Sequence, residues 1–379
     1  MNFDFNDEQK QLADAIRRWA EKNYHFETRK KIIHGERGYS ADVWNDLCEL
    51  GVLALPVPEA QGGFEGSAVD MLVVMQELGR ALLVEPYLAT VTGLEFLKRA
   101  KAHFDVQEQV AAGQSILAAA LHERHARHDL TDVRSKAVKN SDGYLLNGEK
   151  TVVIHGAQAH HLIASARLDD TQNERSDLVL FLVDATLPGV QRKDYRTIDG
   201  LRAADIRFDQ VQLPAMALLG REDGGRALLE EVSDYAVTLL CAEAIGIMET
   251  TLQATLEYVK TRQQFGVPIG RFQVLQHRLA DMFIELEQAR SMAMLAAVKV
   301  SGTSVEERRR IVSAAKVRIG QAARYVGQQA VQLHGGMGVT DELPVAHMFK
   351  RLSMIELSMG DSDHHLARFM AQPGFRAAA

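Results

Sequence analysis

The feature that most constrains this chain is a change in hydrophobic periodicity that occurs twice along its 379 residues. Residues 1–115 and 223–379 carry apolar side chains at helical spacings of three and four, whereas residues 116–222 contain short apolar runs bounded by turn residues. A chain of this length exceeds what one hydrophobic core usually accommodates. The sequence therefore predicts a mainly α fold with a central β domain, in three parts: an N-terminal helical domain (1–115), a middle β domain (116–222) and a C-terminal helical domain (223–379).

Capping and turn residues predict several element boundaries. Ser40 precedes the run ADVWNDLCEL and Gly51 follows it, which is the pattern of a helix N-cap and a left-handed residue after the helix. A long Ala- and Gly-containing helix is expected to stop at Gly335-Gly336. In the middle domain, five apolar runs that begin near residues 116, 144, 161, 178 and 206 predict strands. Asn147-Gly148 separates two apolar runs, which predicts a hairpin with a type I′ turn at that point.

Charge and cysteine content narrow the class of protein. The net charge of −7 argues against nucleic acid or an anionic membrane surface as a general partner. The two cysteines lie in apolar helical contexts, which favours reduced thiols in a cytoplasmic protein over a disulfide scaffold. We find no run of about 18 apolar residues and therefore expect no membrane span.

Two stretches of the C-terminal domain carry the most specific signal. They are YVKTRQQFGVPIGRFQVLQHRLADM at residues 258–282 and QLHGGMGVTDELPVAHMFKR at residues 332–351. Together with the helix–sheet–helix order, they resemble the acyl-CoA dehydrogenase family. The closest resemblance is to the small subunits of heteromeric enzymes of the pimeloyl-CoA dehydrogenase type. The resemblance implies a helical N-terminal domain, a β-barrel-like middle domain and a C-terminal four-helix bundle.

The resemblance also implies a reaction and its partners. Family members take an acyl-CoA substrate, remove its α-proton with a carboxylate and pass the β-hydride to FAD. Each FAD is held by two subunits of a tetramer, one around the flavin ring and its neighbour around the ADP part. Electron transfer flavoprotein is the implied oxidant, and degradation of fatty or dicarboxylic acids is the implied context.

The residues that match the family's FAD cradle lie in the two quoted stretches. Arg262 matches the arginine at the pyrophosphate, where a guanidinium offers several fixed donors. Glycine at the adenosine side lets the backbone approach the dinucleotide closely. The alternatives without a cofactor role are that Arg262 only interacts with a helix C-terminus and that the glycine pair only ends a helix. The full set of matched cofactor residues is Arg262, Gln264, Phe265, Gln273, Gln332, Gly335 and Gly336.

On the flavin side this chain departs from the family pattern. Where the family carries a Trp-Ile-Thr-Asn run, this chain has Val152-Val153-Ile154-His155. A ring that would stack on the flavin and a hydroxyl that would hydrogen-bond near its N5 are thus replaced by aliphatic side chains. Upstream, the run HERHARHD at 122–129 lacks the His-Glu-x-x-His order of a zinc helix, so we expect a solvated basic loop and no metal. Contact with CoA phosphates is the alternative for this loop.

Both positions at which the family places its catalytic base are apolar here. One falls on Met359, whose thioether takes no proton at neutral pH, and the other on Ala236. Glu243, seven residues after Ala236 on the same helical face, is the substitute candidate, because an apolar surrounding would raise the pKa of a carboxylate. A buried ion pair with an arginine is the competing interpretation of Glu243. The acidic and histidine-rich run after Met359 most resembles a helix start capped by Asp361.

These retained and lost residues suggest three functional hypotheses. The first is a subunit of a heteromeric acyl-CoA dehydrogenase that completes the FAD site of a paralogous large subunit. The second is a self-sufficient homo-oligomer that uses Glu243 as an unusual base. The third is an acyl-CoA-binding or scaffolding protein without turnover.

Overall fold

The computed structural model describes residues 5–169, 178–302 and 304–373. The helices and strands of these residues, in chain order, are α1 (Asp7–Asn23), α2 (Phe26–His34), α3 (Ala41–Glu49), α4 (Ala68–Arg80), α5 (Tyr87–Ala100), α6 (Phe104–Ala111), β1 (Leu117–Ala120), β2 (Lys136–Asn140), β3 (Gly143–Ile154), β4 (His161–Leu168), β5 (Leu178–Asp184), β6 (Val190–Arg196), β7 (Arg202–Leu213), α7 (Gly225–Thr261), β8 (Gln263–Gln264), β9 (Val267–Pro268), α8 (Gln273–Lys299), α9 (Val305–His334), α10 (Pro344–Leu357) and α11 (Ser362–Met370). This succession of helices, strands and helices confirms the predicted fold class.

The chain forms two compact units, each assembled from separated segments. The helical unit contains the chain up to Lys30, residues Ala68–Leu83 and the chain from Val237 onward. The sheet unit contains Lys31–Ser67 and Val84–Ala236. The three-domain boundaries drawn from the sequence follow chain order alone and stay a prediction.

The sheet unit is organised around one seven-stranded sheet. Its order is β1-β4-β2-β3-β7-β6, and β5 also pairs with β4. All five predicted strands are present. The two strands of this sheet that the sequence did not predict, β2 and β6, are mostly exposed along their length. Their polar sequences lack the apolar runs by which a strand is recognised.

The hairpin predicted at Asn147-Gly148 is wrong, because both residues lie inside strand β3. The chain reverses earlier, between β2 and β3, where the Asn140 side chain accepts a hydrogen bond from the Asp142 N–H at 3.0 Å. Gly148 serves a different purpose. A Cβ added there would lie 2.2 Å from the Ser135 Oγ, and the pairing of β3 with β7 shifts register at this point. Glycine is thus required by a β-bulge and a close contact.

The predicted helix ends are confirmed. The Ser40 hydroxyl caps α3 by accepting from the Val43 N–H at 3.3 Å, and Gly51 after that helix has a φ of +75°. Helix α9 ends at His334, with Gly335 as its cap at a φ of +62°. Local capping chemistry decides these boundaries, which is why they are readable in the sequence.

Helix α7 is the longest element described and corrects one expectation. By length and hydropathy it could cross a membrane, although no such stretch was expected from the sequence. However, 83% of its most apolar window is buried inside the protein. A helix that is apolar on all sides and covered in this way is typical of a protein core.

In the helical unit, α4 and α7 pack with their backbones in contact. A Cβ added at Gly246 of α7 would lie 1.9 Å from the Gln76 carbonyl oxygen of α4. A Cβ added at Gly79 of α4 would lie 2.3 Å from the Glu243 carbonyl oxygen of α7. One glycine on each helix therefore permits the close approach of the two backbones. This close approach fixes the position of α7 at Glu243.

We expect Gly246→Ala to lower the free energy of unfolding by about 2 kcal/mol, the usual effect of overpacking a core. Helix propensity alone would act in the opposite direction by about 1 kcal/mol. Urea denaturation measures the change. Gly224→Ala is the control, because the nearest atom to its added Cβ is an ordinary 3.5 Å away. Equal stability of the two variants would contradict the backbone contact.

Candidate cofactor and active site

The hairpin that follows α7 carries three of the predicted cofactor residues. Arg262 directly follows α7, and its carbonyl accepts from the Ile269 N–H at 2.8 Å across the hairpin formed by β8 and β9. Phe265 and Gly266 form the tip with φ values of +56° and +79°. The Phe265 side chain is 91% exposed. The hairpin thus presents Arg262, Gln264 and Phe265 at the surface of the helical unit.

A second loop, at the end of α9, carries the predicted glycine pair. Residues Gly335–Val339 form a 3-10 turn directly after His334. The His334 ring stacks on Tyr258 in the last turn of α7, with ring centroids 4.3 Å apart. The Tyr258 hydroxyl also donates to the His334 carbonyl at 3.4 Å. This contact joins the glycine loop to the end of α7, which leads into the Arg262 hairpin.

Sequence reasoning assigned no role to Tyr258 and His334, although both lie inside the two quoted stretches. Their stack joins the stretches across 76 positions of sequence, and neither residue type by itself indicates such a contact. Their position at the borders of the two matched motifs was the available signal. The two residues hold the loops that carry the predicted cofactor donors.

The chemistry of these loops fits the ADP half of a dinucleotide. The Arg262 guanidinium is exposed, and no ion pair or hydrogen bond engages it among the described residues. A Cβ added at Gly335 or Gly336 would meet nothing within 4 Å, so the backbone there is open to a ligand. A guanidinium and unhindered backbone suit phosphate oxygens. The exposed amide side chains that accompany them are Gln264, Gln273 and Gln332.

The two positions predicted to face the flavin, Val152 and Ile154, carry aliphatic side chains. Val152 is exposed at a second bulge of β3 and has a φ of +52°, and its N–H donates to the Asp205 carboxylate at 3.3 Å. Ile154 packs against a small apolar cluster formed by Ile33, Val84 and Leu201. Neither side chain offers a ring to stack on or a hydroxyl to donate.

The loop at 122–129 is only partly the solvated basic loop that the sequence predicted. Arg124 is exposed, but Glu123 is buried and accepts from the Ser135 hydroxyl and the Lys150 ammonium, both at 2.7 Å. Burial lowers the pKa of Lys150 to about 8, against the opposing effect of Glu123. Burial also lowers the pKa of His122 to about 4. No cluster of three metal-ligating residues occurs in the ranges that the structure describes.

Met359 lies between α10 and α11, in a loop held by buried polar groups. Its φ is +56°, and its carbonyl is 3.0 Å from the His365 Nε2. The Lys316 ammonium, itself buried, donates to the Glu356 and Gly360 carbonyls at 2.7 Å each. Burial lowers the pKa of His365 to about 3, so this ring is neutral. The loop is rigidly placed, but the Met359 thioether accepts no proton.

The histidine-rich run after Met359 is the start of a helix, as predicted. Asp361 is the N-cap of α11, and its Oδ1 accepts from the His364 N–H at 2.8 Å. The two ring planes of His364 and His365 are nearly perpendicular, at 84°. Asp361 therefore acts as a helix cap, and the His365 ring supports the Met359 carbonyl.

Glu243 forms a buried two-fold ion pair. The Arg351 Nε donates to one carboxylate oxygen at 2.6 Å and its Nη2 to the other at 2.7 Å. Both residues are buried. This is the pairing that the sequence offered as the alternative to a catalytic role, and it engages both oxygens of Glu243. The role of Glu243 as a base stays a hypothesis, and Ala236 is buried on the same helix.

We expect Glu243→Gln to lower the free energy of unfolding by about 3 kcal/mol, because Arg351 would stay buried without its countercharge. Urea denaturation measures the loss. The matched control is Glu257→Gln, since Glu257 meets Lys260 on the surface at 2.9 Å and should change stability by less than about 0.5 kcal/mol. Loss of dehydrogenation with unchanged stability would instead favour Glu243 as the base.

Comparison with known proteins identifies the family of the chain. The chain matches the N-terminal, middle and C-terminal domains of acyl-CoA dehydrogenase over residues 6–96, 118–211 and 223–372. It is 28% identical to the probable acyl-CoA dehydrogenase YngJ of Bacillus subtilis (strain 168), over 96% of this chain and 97% of YngJ.

Two solved structures are similar over nearly the whole length. The ChsE4-ChsE5 complex from Mycobacterium tuberculosis has a TM-score of 0.88 at 25% identity and covers 100% of this chain and 99% of its own. A variant of the Tcur3481-Tcur3483 steroid ACAD has a TM-score of 0.89 at 28% identity, with coverage of 98% and 99%. The chain therefore belongs to the acyl-CoA dehydrogenase family, the FAD-dependent oxidoreductases that act on the CH–CH bond of acyl-CoA thioesters.

Proposed function

We propose that this chain is one subunit of a heteromeric acyl-CoA dehydrogenase and completes the FAD site of a paralogous large subunit. The observation that carries the proposal is an asymmetry within the chain. The Arg262 hairpin and the Gly335 loop are exposed and offer donors suited to a diphosphate. Met359, Val152 and Ile154 offer neither a proton acceptor nor flavin contacts of the usual kind.

The ADP half is the part that this chain's residues would hold. Arg262 would neutralise the diphosphate, and the backbone at Gly335 and Gly336 would approach the adenosine side closely. When bound, FAD supplies the hydride acceptor of the reaction. The carboxylate that takes the α-proton would come from the partner subunit, because a thioether at Met359 cannot take it.

Two similar structures support a heteromeric assembly. The ChsE4-ChsE5 structure is a complex of two named proteins, and the Tcur3481-Tcur3483 structure is likewise named for two proteins. We extend that arrangement to this chain as a cytoplasmic α2β2 tetramer, with electron transfer flavoprotein as the oxidant. The steroid enzyme also favours a bulky acyl-CoA as the substrate class.

A self-sufficient homo-oligomer is the second candidate. It is favoured by one observation: Glu243 is a buried carboxylate on α7, the helix that also carries the apolar base position Ala236. Glu243 would have to leave Arg351 before it could accept a proton, since both of its oxygens are engaged. That requirement places this candidate below the heteromeric one.

Removal of the Arg262 guanidinium tests whether this residue contributes to FAD binding. We expect Arg262→Ala to weaken FAD binding about ten- to a hundredfold, because a charge-assisted hydrogen bond contributes roughly 1.5–3 kcal/mol. Bound flavin per assembly after gel filtration measures the effect. Arg310→Ala is the control, since this exposed arginine lies in the first turns of α9, roughly 36 Å along the helix from Gly335. Equal flavin content in both variants would mean that Arg262 has no role in the cofactor site.

Expression of this chain alone, and together with the paralogous large subunit, tests the proposed heteromeric assembly. We expect the isolated chain to show negligible acyl-CoA dehydrogenation, and the mixed α2β2 tetramer to hold half the FAD of a homotetramer. Met359→Glu should restore activity only in a form that also binds flavin. Turnover by the isolated wild-type chain at about 1–10³ per second, the range of ordinary enzymes, would overturn the subunit proposal.

A further inference from the structure

A buried polar relay in the helical unit connects α2, α10 and the loop after the glycine pair. Arg29 is 1% exposed and His347 is 5% exposed. The Arg29 Nη1 lies 2.8 Å from the His347 Nδ1, and the Arg29 Nε donates to the Leu82 carbonyl at 2.8 Å. Neither side chain belongs to the set of residues that match the family's FAD cradle.

The arginine decides which nitrogen of His347 carries the proton. A guanidinium can only donate, so the Nδ1 that faces Arg29 must accept. The proton of the neutral ring is therefore on Nε2. That nitrogen lies 3.0 Å from the Asp341 carbonyl oxygen, to which it donates. Phe26 meets the His347 ring edge to face, with centroids 4.9 Å apart, and this contact fixes the ring plane.

Asp341 closes the loop that begins at Gly335. Its backbone carbonyl is held by His347, and its carboxylate accepts from the Lys350 ammonium at 2.7 Å. The other end of the loop is held by the stack of His334 on Tyr258. The exposed glycine pair therefore lies between two fixed points, the stack of His334 on Tyr258 and the Asp341 carbonyl. The second fixed point depends on the tautomer of one buried histidine, His347.

We propose that Arg29 and His347 are positioning residues for the FAD-binding loop at 335–341. The inference rests on the proposed function, because it takes this loop as part of the FAD cradle. Arg29 acts on the ring by fixing its tautomer, and His347 acts on the loop through the Asp341 carbonyl. Both residues therefore act on the glycine pair only through the loop that carries it.

The bond between Arg29 and His347 is also sensitive to acid. Among the described residues, the charged groups that face the His347 ring are Arg29 from α2, Lys350 from α10 and Asp341 from the loop. Burial lowers the pKa of His347, Arg29 and Lys350 act in the same direction, and Asp341 opposes them. A protonated ring would place a second donor against Arg29 and lose that bond. The stabilisation is therefore full above the ordinary histidine pKa of about 6.5 and is lost as the pH falls below it.

Two substitutions distinguish the effects of the two hydrogen bonds that the His347 ring makes. His347→Asn places an amide oxygen where Nδ1 accepts from Arg29, but it does not reach Asp341. His347→Gln places an amide N–H where Nε2 donates to the Asp341 carbonyl, but it leaves Arg29 without that acceptor. The first variant should loosen the loop with a small loss of global stability. The second should keep the loop ordered while global stability falls.

Amide hydrogen exchange of the FAD-free full chain measures how well ordered the loop at 335–341 is, without any need for cofactor. We expect exchange at the amides of residues 335–341 to rise about tenfold in His347→Asn and to stay within about threefold of wild type in His347→Gln. In wild type, the free energy of unfolding should fall more steeply below about pH 6.5 than in His347→Gln, while exchange of the loop stays low in both, because a protonated ring still donates from Nε2 to the Asp341 carbonyl. Equal exchange of the loop in both variants would overturn the inference. If a variant fails to fold, wild-type exchange still tests the inference, since exchange of residues 335–341 at the rate of an unstructured chain would contradict an anchored loop.

FAD binding by the mixed assembly is the second readout. We expect His347→Asn to weaken FAD binding about tenfold and His347→Gln to bind like wild type. If Arg262→Ala weakens FAD binding but His347→Asn does not, the positioning role is wrong while the cradle stands. If wild type binds no FAD in any assembly, the proposed function fails, and the exchange experiment still decides whether the relay anchors the loop.

Discussion

The buried ion pair between Glu243 and Arg351 is the contact on which the candidate site depends. It joins α7, which leads into the Arg262 hairpin, to α10, which lies between the glycine loop and the Met359 loop. Two desolvated charges contribute little net stability, but separating them leaves an uncompensated charge in the core, which is costly. The pair therefore makes any arrangement of the two helices that separates these charges costly. Each of these three loops begins or ends on a helix that the pair constrains.

The exposed parts of the site are supported by buried groups directly beneath them. The stack of Tyr258 on His334, the relay from Arg29 to Asp341 and the ammonium of Lys316 each fix one loop end from inside the helical unit. A ligand-binding surface has to keep its own donors unpaired, so it cannot stabilise itself. Its order must come from neighbouring contacts that are satisfied, and these residues supply them.

Val152 and Met359 both have left-handed backbone conformations. Positive φ is unfavourable for most residues and is an outlier for a β-branched one such as valine. Such strain persists only where the surrounding structure imposes it, here a bulge of β3 and the loop held by Lys316 and His365. The surrounding contacts thus fix the backbone at the two positions that we propose to lack the flavin contact and the base.

The sequence by itself determined the features that depend on near neighbours in the chain. Periodicity predicted the helix–sheet–helix order, capping residues predicted the ends of α3 and α9 and the start of α11, and two motifs indicated the family. It mistook Gly148 for a turn, because a glycine needed for a bulge and one needed for a hairpin look alike until the partner strand is placed. Only the tertiary structure decided that Glu243 meets Arg351 and that Arg29 meets His347, across 108 and 318 positions of sequence. Long-range contacts of this kind leave no periodic trace, since they depend on where whole helices pack.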